Sequence, residues 1–192
     1  MYASVAEVES MLEVAVKAAG GRDDNLTDVL NSLDAPIYVT DPDGVITHFS
    51  RACVEFAGRT PATGKDRWCV TWKLYTNDGE FLPHDQCPMA IAIRQSKPIR
   101  GVTAIAERPD GTRVNFMPFP TPLLDAGGAM VGAINVLIDI TEVGQISELK
   151  RQARRCRELA RAINDPGVAN TLDRMACEYD AKAASLSGDP KP

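Results

Sequence analysis

Between Pro36 and Ile140 the chain is written in short β-rich runs divided by turn sequences, and on either side its apolar residues fall into helical stripes. Ile37-Tyr38-Val39-Thr40 and Val45-Ile46-Thr47-His48-Phe49 flank Asp41-Pro42-Asp43-Gly44. That arrangement reads as a hairpin, because glycine accepts the positive φ such turns require. Pro109-Asp110-Gly111 separates Val102–Ala106 from Arg113–Phe116, and Asp125-Ala126-Gly127-Gly128 precedes a run from Met130 to Ile140. Five principal strands follow, grouped as two and then three. Helical pieces lie between the groups: Arg51 to Ala57 behind a Ser50 cap, and Pro88 to Gln95, where proline suits a first helical turn.

Both flanks are helical. Val5, Val8, Leu12, Ala15, Val16 and Ala19 share one stripe, ended by Gly20-Gly21. A short helix follows from Leu26 to Leu33, with Asp24 or Asn25 to cap it, and stops at Ala35-Pro36. After Thr141, Ile146, Leu149, Ala153, Cys156, Ala160 and Ile163 recur at alternating spacings of three and four, the seam of a coiled coil or helical hairpin. Asn164-Asp165-Pro166-Gly167 breaks it, and Val168, Leu172, Met175, Ala176, Tyr179, Ala183 and Leu186 line the next helix. The expected organisation is 1–33 capping or dimerisation helices, 34–142 the mixed domain, 143–186 a helical hairpin and 187–192 a disordered tail.

A hydrophobic content of 44% with 24% charged residues describes a globular chain. The longest apolar stretch, Ala129 to Ile138, is about half a membrane span and is interrupted by Gly132 and Asn135. Glu7 and Glu9 stand where a signal peptide would be basic, so a cytoplasmic protein with no membrane partner is expected. Cys53, Cys69, Cys87, Cys156 and Cys177 form no C-x-x-C pair and are read as free thiols, with no metal site. A net charge of −5 disfavours nucleic acid as the main partner. The basic segment 150–161, with Lys150, Arg151, Arg154, Arg155, Arg157 and Arg161, carries a nucleic-acid-associated regulator as an alternative reading. The simpler reading is a solvated face balanced by Glu158, Asp173, Glu178 and Asp180. No phosphate-binding loop, zinc-binding His pair or nucleophile elbow occurs, so no catalytic residues are assigned and no enzyme is expected. The His84-Asp85 and Cys87 cluster suggests a thiol nucleophile with a base, but residues this close along a chain seldom face one another correctly, and Pro88 points to a structural cap instead.

Thr40-Asp41-Pro42-Asp43-Gly44, Arg108-Pro109-Asp110-Gly111, Thr121-Pro122-Leu123-Leu124-Asp125 and the Asp139-Ile140-Thr141-Glu142 ending, in that order over residues 34 to 142, closely resemble the PAS family. The block Leu82 to Ala90 resembles a variant common in bacterial PAS sequences. The resemblance implies an α+β fold: a five-stranded antiparallel sheet of order 2-1-5-4-3 with helices on one face. It also implies a sensory or interaction module that signals through a protein partner, with a small ligand in the pocket.

The light-sensing flavin subset carries an Asn-Cys-Arg motif that is absent here. Registering the last strands on that subset places Ala106, Phe116 and Leu137 at the flavin edge, where they offer no hydrogen bond, so flavin is disfavoured. A haem-binding gas or redox sensor, with iron held by His84 or His48, is the sharper alternative, although the helix from Met89 to Gln95 contains no histidine. Strand alternation puts Tyr38 with Thr40, Ile46 with His48 and Ser50, and Ala133 with Asn135 and Leu137. A lone amide among apolar neighbours, Asn135 must find partners. Phe56, Trp68, Trp72, Met89, Ile93 and Phe116 read as core or pocket lining. The other face of the last strand, with Ile134, Val136, Ile138 and Ile140, needs a cover. The N-terminal helix, the helix ending at Leu33 or a second subunit would serve; a homodimer on the N-terminal helices and outer sheet is expected.

Overall fold

A computed structural model of the chain describes residues 5–20 and 25–187. Gly21 and Asp24 as helix signals, and a disordered tail beyond Ser187, lie outside the described residues, as does the Val5 side chain. The elements are α1 (Val5–Gly20), α2 (Leu26–Ser32), β1 (Ile37–Thr40), β2 (Ile46–Phe49), α3 (Arg51–Ala57), β3 (Lys73–Tyr75), α4 (Pro88–Gln95), β4 (Ala104–Glu107), β5 (Arg113–Pro118), β6 (Thr121–Leu124), β7 (Met130–Asp139), α5 (Thr141–Ala162) and α6 (Pro166–Ser187). A single 3₁₀ turn, His84–Gln86, precedes α4. The chain divides after Asp139 into two compact units.

In the first unit an antiparallel sheet runs in the order β2-β1-β7-β5-β4-β3, with β6 also pairing to β7. This corrects the expected five strands in order 2-1-5-4-3: the sheet has seven, and β3 and β6 are the additions. β3 is three residues long, too short to leave a periodic signal. β6 contains Pro122 and pairs only with β7, an edge position that tolerates a residue lacking an N–H.

The hairpin turns owe their shape to aspartate. Asp41 Oδ1 accepts hydrogen bonds from the backbone N–H of Asp43 and Val45 at 2.9 and 2.8 Å, and Asp125 Oδ1 does the same for Gly127 and Ala129, both at 2.9 Å. Gly44 adopts φ +80°, and a Cβ there would lie 2.1 Å from the Trp68 ring. Gly132 lets β7 approach β1, since a Cβ there would meet the Thr40 carbonyl oxygen at 2.2 Å.

Alternation on β1 and β7 separates two cores. Tyr38, Ala133 and Leu137 join α3 and α4 on the inner face, with Phe56, Met89, Ile93 and Phe116. Ile37, Val39, Ile134 and Val136 face the other way, onto Val8, Leu12 and Ala15 of α1 and Leu26 and Leu30 of α2. The outer face is thus covered by helices of the same chain, and any homodimer has no need of a bare sheet.

The second unit is a hairpin of α5 and α6. Asp165 Oδ1 accepts from the N–H of Gly167 and Val168 at 2.8 and 3.2 Å, starting α6 behind Pro166. Small residues make the seam: Ala153, Cys156 and Ala176 are buried together. Ile163, Val168 and Met175, expected within it, are exposed, as is Leu159. Close packing of alanines brings the helices together along one stripe and leaves these larger side chains outside it. Two members of the basic segment are paired, Arg157 with Asp180 and Arg151 with Glu148. No described helix is long and apolar enough to cross a membrane.

Because Leu12 is buried at the interface of α1 with the sheet, Leu12→Ala is expected to lower the free energy of unfolding by about 2–4 kcal/mol. Urea unfolding measures this, and a loss below about 0.5 kcal/mol, the scale of a surface change, would show that α1 is not docked.

Candidate functional site

On the inner face, the deepest polar feature is built on β1 and β7, which pair Tyr38 with Asn135. Asn135 Oδ1 accepts the backbone N–H of Phe119 at 2.9 Å, and its Nδ2 donates to the Tyr38 hydroxyl at 3.0 Å. That hydroxyl donates in turn to the Trp68 carbonyl at 2.8 Å. Trp68 reaches this position with φ +69°, a left-handed conformation uncommon outside glycine. A backbone amide, a side-chain amide, a phenol and a backbone carbonyl are therefore joined in one buried chain, which accounts for the lone amide on β7.

Three thiols lie in the same core, those of Cys53, Cys69 and Cys87. Burial, and secondarily the nearby Cys69 and Cys87, hold the Tyr38 phenol well above its ordinary range. Burial likewise pushes Cys53 and Cys87 up to about 12, and raises Cys69. The phenol and thiols are neutral at physiological pH and act as hydrogen-bonding core groups: Cys69 Sγ lies 3.1 Å from Thr71 Oγ1, and Cys53 Sγ donates to the Ile37 carbonyl at 3.2 Å.

Of the residues singled out from sequence, Tyr38, Phe56, Met89, Ile93, Phe116 and Leu137 share this cluster, with Asn135 tied to Tyr38; Phe56 meets Phe116 edge to face at 5.4 Å. Thr40 is buried on the same strand face as Tyr38, and its Oγ1 has no hydrogen-bond partner among the described residues. His48 does not belong here. A bulge between β1 and β2 pairs Thr40 with Ile46 but Val39 with His48, so Ile46 packs in the inner core while His48 is exposed. One extra residue breaks the alternation that grouped them. Ser50, expected as a helix cap, makes no side-chain cap; its Oγ accepts from Ile37 N–H at 3.0 Å and donates to the Ala35 carbonyl at 2.7 Å.

Trp72 and His84 lie away from the inner cluster, in a cleft of about 530 Å³ that also includes Arg59, Asp66, Arg67 and Thr71. Arg59 donates to the carbonyls of Val70 and Thr71 at 3.2 and 3.4 Å and is paired with Asp66. Sequence reasoning missed this pair because nothing in a run of polar residues between α3 and β3 distinguishes an internal guanidinium from a solvated one. Among the described residues, no group of three or more His, Cys, Asp or Glu side chains is placed to hold a metal ion.

A family model described as the PAS fold matches residues 30–145, more than half of the chain. The chain belongs to the PAS fold family. No curated protein matches it. Among solved structures, the PAS domain of the fruit-fly ELK potassium channel is similar at 14% identity and a TM-score of 0.50, over 62% of this chain and 96% of that one. A light-oxygen-voltage domain, described under "Flavin Analogue Sheds Light on Light-Oxygen-Voltage Domain Mechanism", is similar at 19% identity and TM-score 0.48, over 71% and 99%. The LOV domain from the Erythrobacter litoralis EL346 blue-light activated histidine kinase follows at 16% and 0.42, over 56% and 97%.

The inner face of the sheet corrects the cofactor expectation. Flavin was set aside on Ala106, Phe116 and Leu137 alone, but the same face also carries polar side chains, so apolar residues at three positions do not make it unlikely. Those three side chains do lie in the inner-face cluster, but β1 and β7 add Tyr38, Thr40 and Asn135 to that face, and the Thr40 hydroxyl has no partner among the described residues. The haem reading is withdrawn with it, since His48 is exposed on β2 and His84 lies in the turn before α4, outside the inner cluster.

Tyr38→Phe is expected to cost about 1–3 kcal/mol in urea unfolding, because it leaves the Asn135 amide and the Trp68 carbonyl without their shared partner. Thiol labelling at pH 8 is expected to reach exposed Cys177 first, and Cys53 and Cys87 only on global unfolding. With both pushed up to about 12, the folded thiols stay protonated where an unfolded chain ionises. Their contribution to stability is therefore complete below about pH 9 and lost as pH rises from there toward 12, which the urea midpoint against pH will read.

Proposed function

We propose that this chain is a cytoplasmic sensory and regulatory PAS module that passes a signal to a partner protein, with a small ligand on the inner face of its sheet. The observation that carries the proposal is the position of β7. It is paired to β1, β5 and β6, bears Asn135 at its middle, and runs through Ile140 directly into α5. A ligand that engaged Thr40 or displaced the Tyr38–Asn135 bond would act on the strand that leads to the hairpin. The exposed Leu159, Ile163, Val168 and Met175 of α5, α6 and their connection supply apolar contact area for a partner. Flavin is the first ligand to test, its polar edge meeting the inner-face groups of Tyr38, Thr40 and Asn135. Self-association belongs to the same proposal.

Native mass spectrometry and visible absorption of protein purified without denaturation are expected to show a bound flavin, lost in Thr40→Val; bare mass and no visible band even after incubation with flavin would remove that ligand. In affinity purification, the full chain is expected to retain a partner that Leu159→Glu with Ile163→Glu loses. Retention of the same partner by that variant would remove the hairpin as the output surface, and light scattering of the full chain decides self-association.

A further inference from the structure

The cleft beside β3 shares only Cys69 with the inner-face cluster, and its volume of about 530 Å³ lies inside the range of small-molecule sites, roughly 300–1,000 Å³. Its charges do not cancel. Arg59 is matched by Asp66, but Arg67 donates from Nε to a neutral group, the Asp43 carbonyl, at 3.2 Å, and stacks 5.0 Å from the Trp68 ring centroid. Neither contact offsets its positive charge. Beyond Trp72, Lys73 and Arg113 share the single carboxylate of Glu107, at 3.2 and 2.9 Å. Among the residues that line the cleft, two guanidiniums thus stand against the one carboxylate of Asp66, with Asp85 near the His84 side.

Two further features concern a ligand's shape. The Trp72 side chain lines the cleft yet is 45% exposed, with the Lys73 amine 4.2 Å from its ring centroid. His84 Nε2 is buried and has no hydrogen-bond partner among the described residues, a costly state for a ring nitrogen unless a ligand group meets it. Burial and then the Arg59 charge lower the His84 pKa against the opposing pull of Asp66 and Asp85, so the ring is neutral at physiological pH and its Nε2 can pair with a polar atom.

We propose that this cleft is a second binding site, for a small aromatic carboxylate whose anion meets Arg67 and His84 Nε2 and whose ring lies along Trp72. A planar guanidinium matches a carboxylate in geometry as well as charge, and an exposed indole supplies the apolar wall that a small inorganic anion would not use. The inference goes beyond the sensory reading, because binding here requires neither flavin nor a partner and is measured without either.

Isothermal titration of the full chain with benzoate is expected to show saturable, one-to-one binding. Acetate, which lacks the ring, and benzamide, which lacks the charge, are each expected to bind at least about ten-fold more weakly. Arg67→Gln and His84→Ala, checked for an unchanged melting transition, are each expected to weaken benzoate by about ten-fold or more. Arg67 is exposed, so its variant tests the site even if the His84 substitution unfolds the turn. Absence of saturation overturns the proposal. So does benzoate binding that Arg67→Gln leaves intact, which places it elsewhere, and so does equal affinity for benzamide, which removes the anion.

Discussion

A buried hydrogen-bond chain from Phe119 through Asn135 and Tyr38 to Trp68 is the constraint around which the first unit is assembled. Each link joins a different element: the break between β5 and β6, the middle of β7, β1, and the segment before β3. Inside a low-dielectric core such bonds are stronger than in water, and an unpaired member is correspondingly expensive. Strand register, the course of the chain at Phe119 and the left-handed turn at Trp68 must therefore be satisfied together. A one-residue slip of β7 would turn Asn135 to the outer face and strip the Tyr38 hydroxyl of the amide N–H it accepts.

The apolar half of β7 imposes the second requirement. Ile134 and Val136 point away from the inner face, and α1 with α2 buries them, so the outer helices belong to the same cooperative structure as the sheet. Ile37 and Val39 on β1 serve that same layer, while Tyr38 between them serves the other. Two cores separated by one sheet allow the inner face to hold a polar group, because apolar burial is supplied on both sides.

Much of this was legible beforehand. The two faces of β7, the aspartate-led turns at Asp41 and Asp125 and the Asp165 cap all follow from local pattern, and structure and sequence agree on them. What escaped were features set by distant neighbours. Tyr38 and Asn135 are 97 positions apart, and Gly44 is required by a tryptophan 24 residues further on. His48 was misplaced because a bulge has no compositional mark, and the α5–α6 seam was read too wide because periodicity cannot show that alanines, not the larger Ile163 and Met175, sit at the contact. Tyr38, Phe56, Met89, Ile93, Phe116 and Leu137 of the inner-face cluster were named from sequence as lining and Cys53, Cys69, Val70, Leu74 and Cys87 were not, while the cleft was represented by Trp72 and His84 alone, since its cations are ordinary surface residues until the chain folds.

The segment Trp68 to Thr71 belongs to both the inner core and the cleft. Tyr38 donates to its carbonyl at Trp68, and Arg59 donates to those at Val70 and Thr71, so the same four residues are held from the core side by a phenol and from the cleft side by a guanidinium. Cys69, between them, is at once a neighbour of Tyr38 and part of the cleft lining. A ligand on either side that prefers one arrangement of this segment changes the free energy of the arrangement on the other side. By linkage that effect is reciprocal and equal in both directions. Trp68 to Thr71 is therefore the stretch of backbone that the cleft and the Tyr38–Asn135 pair have in common.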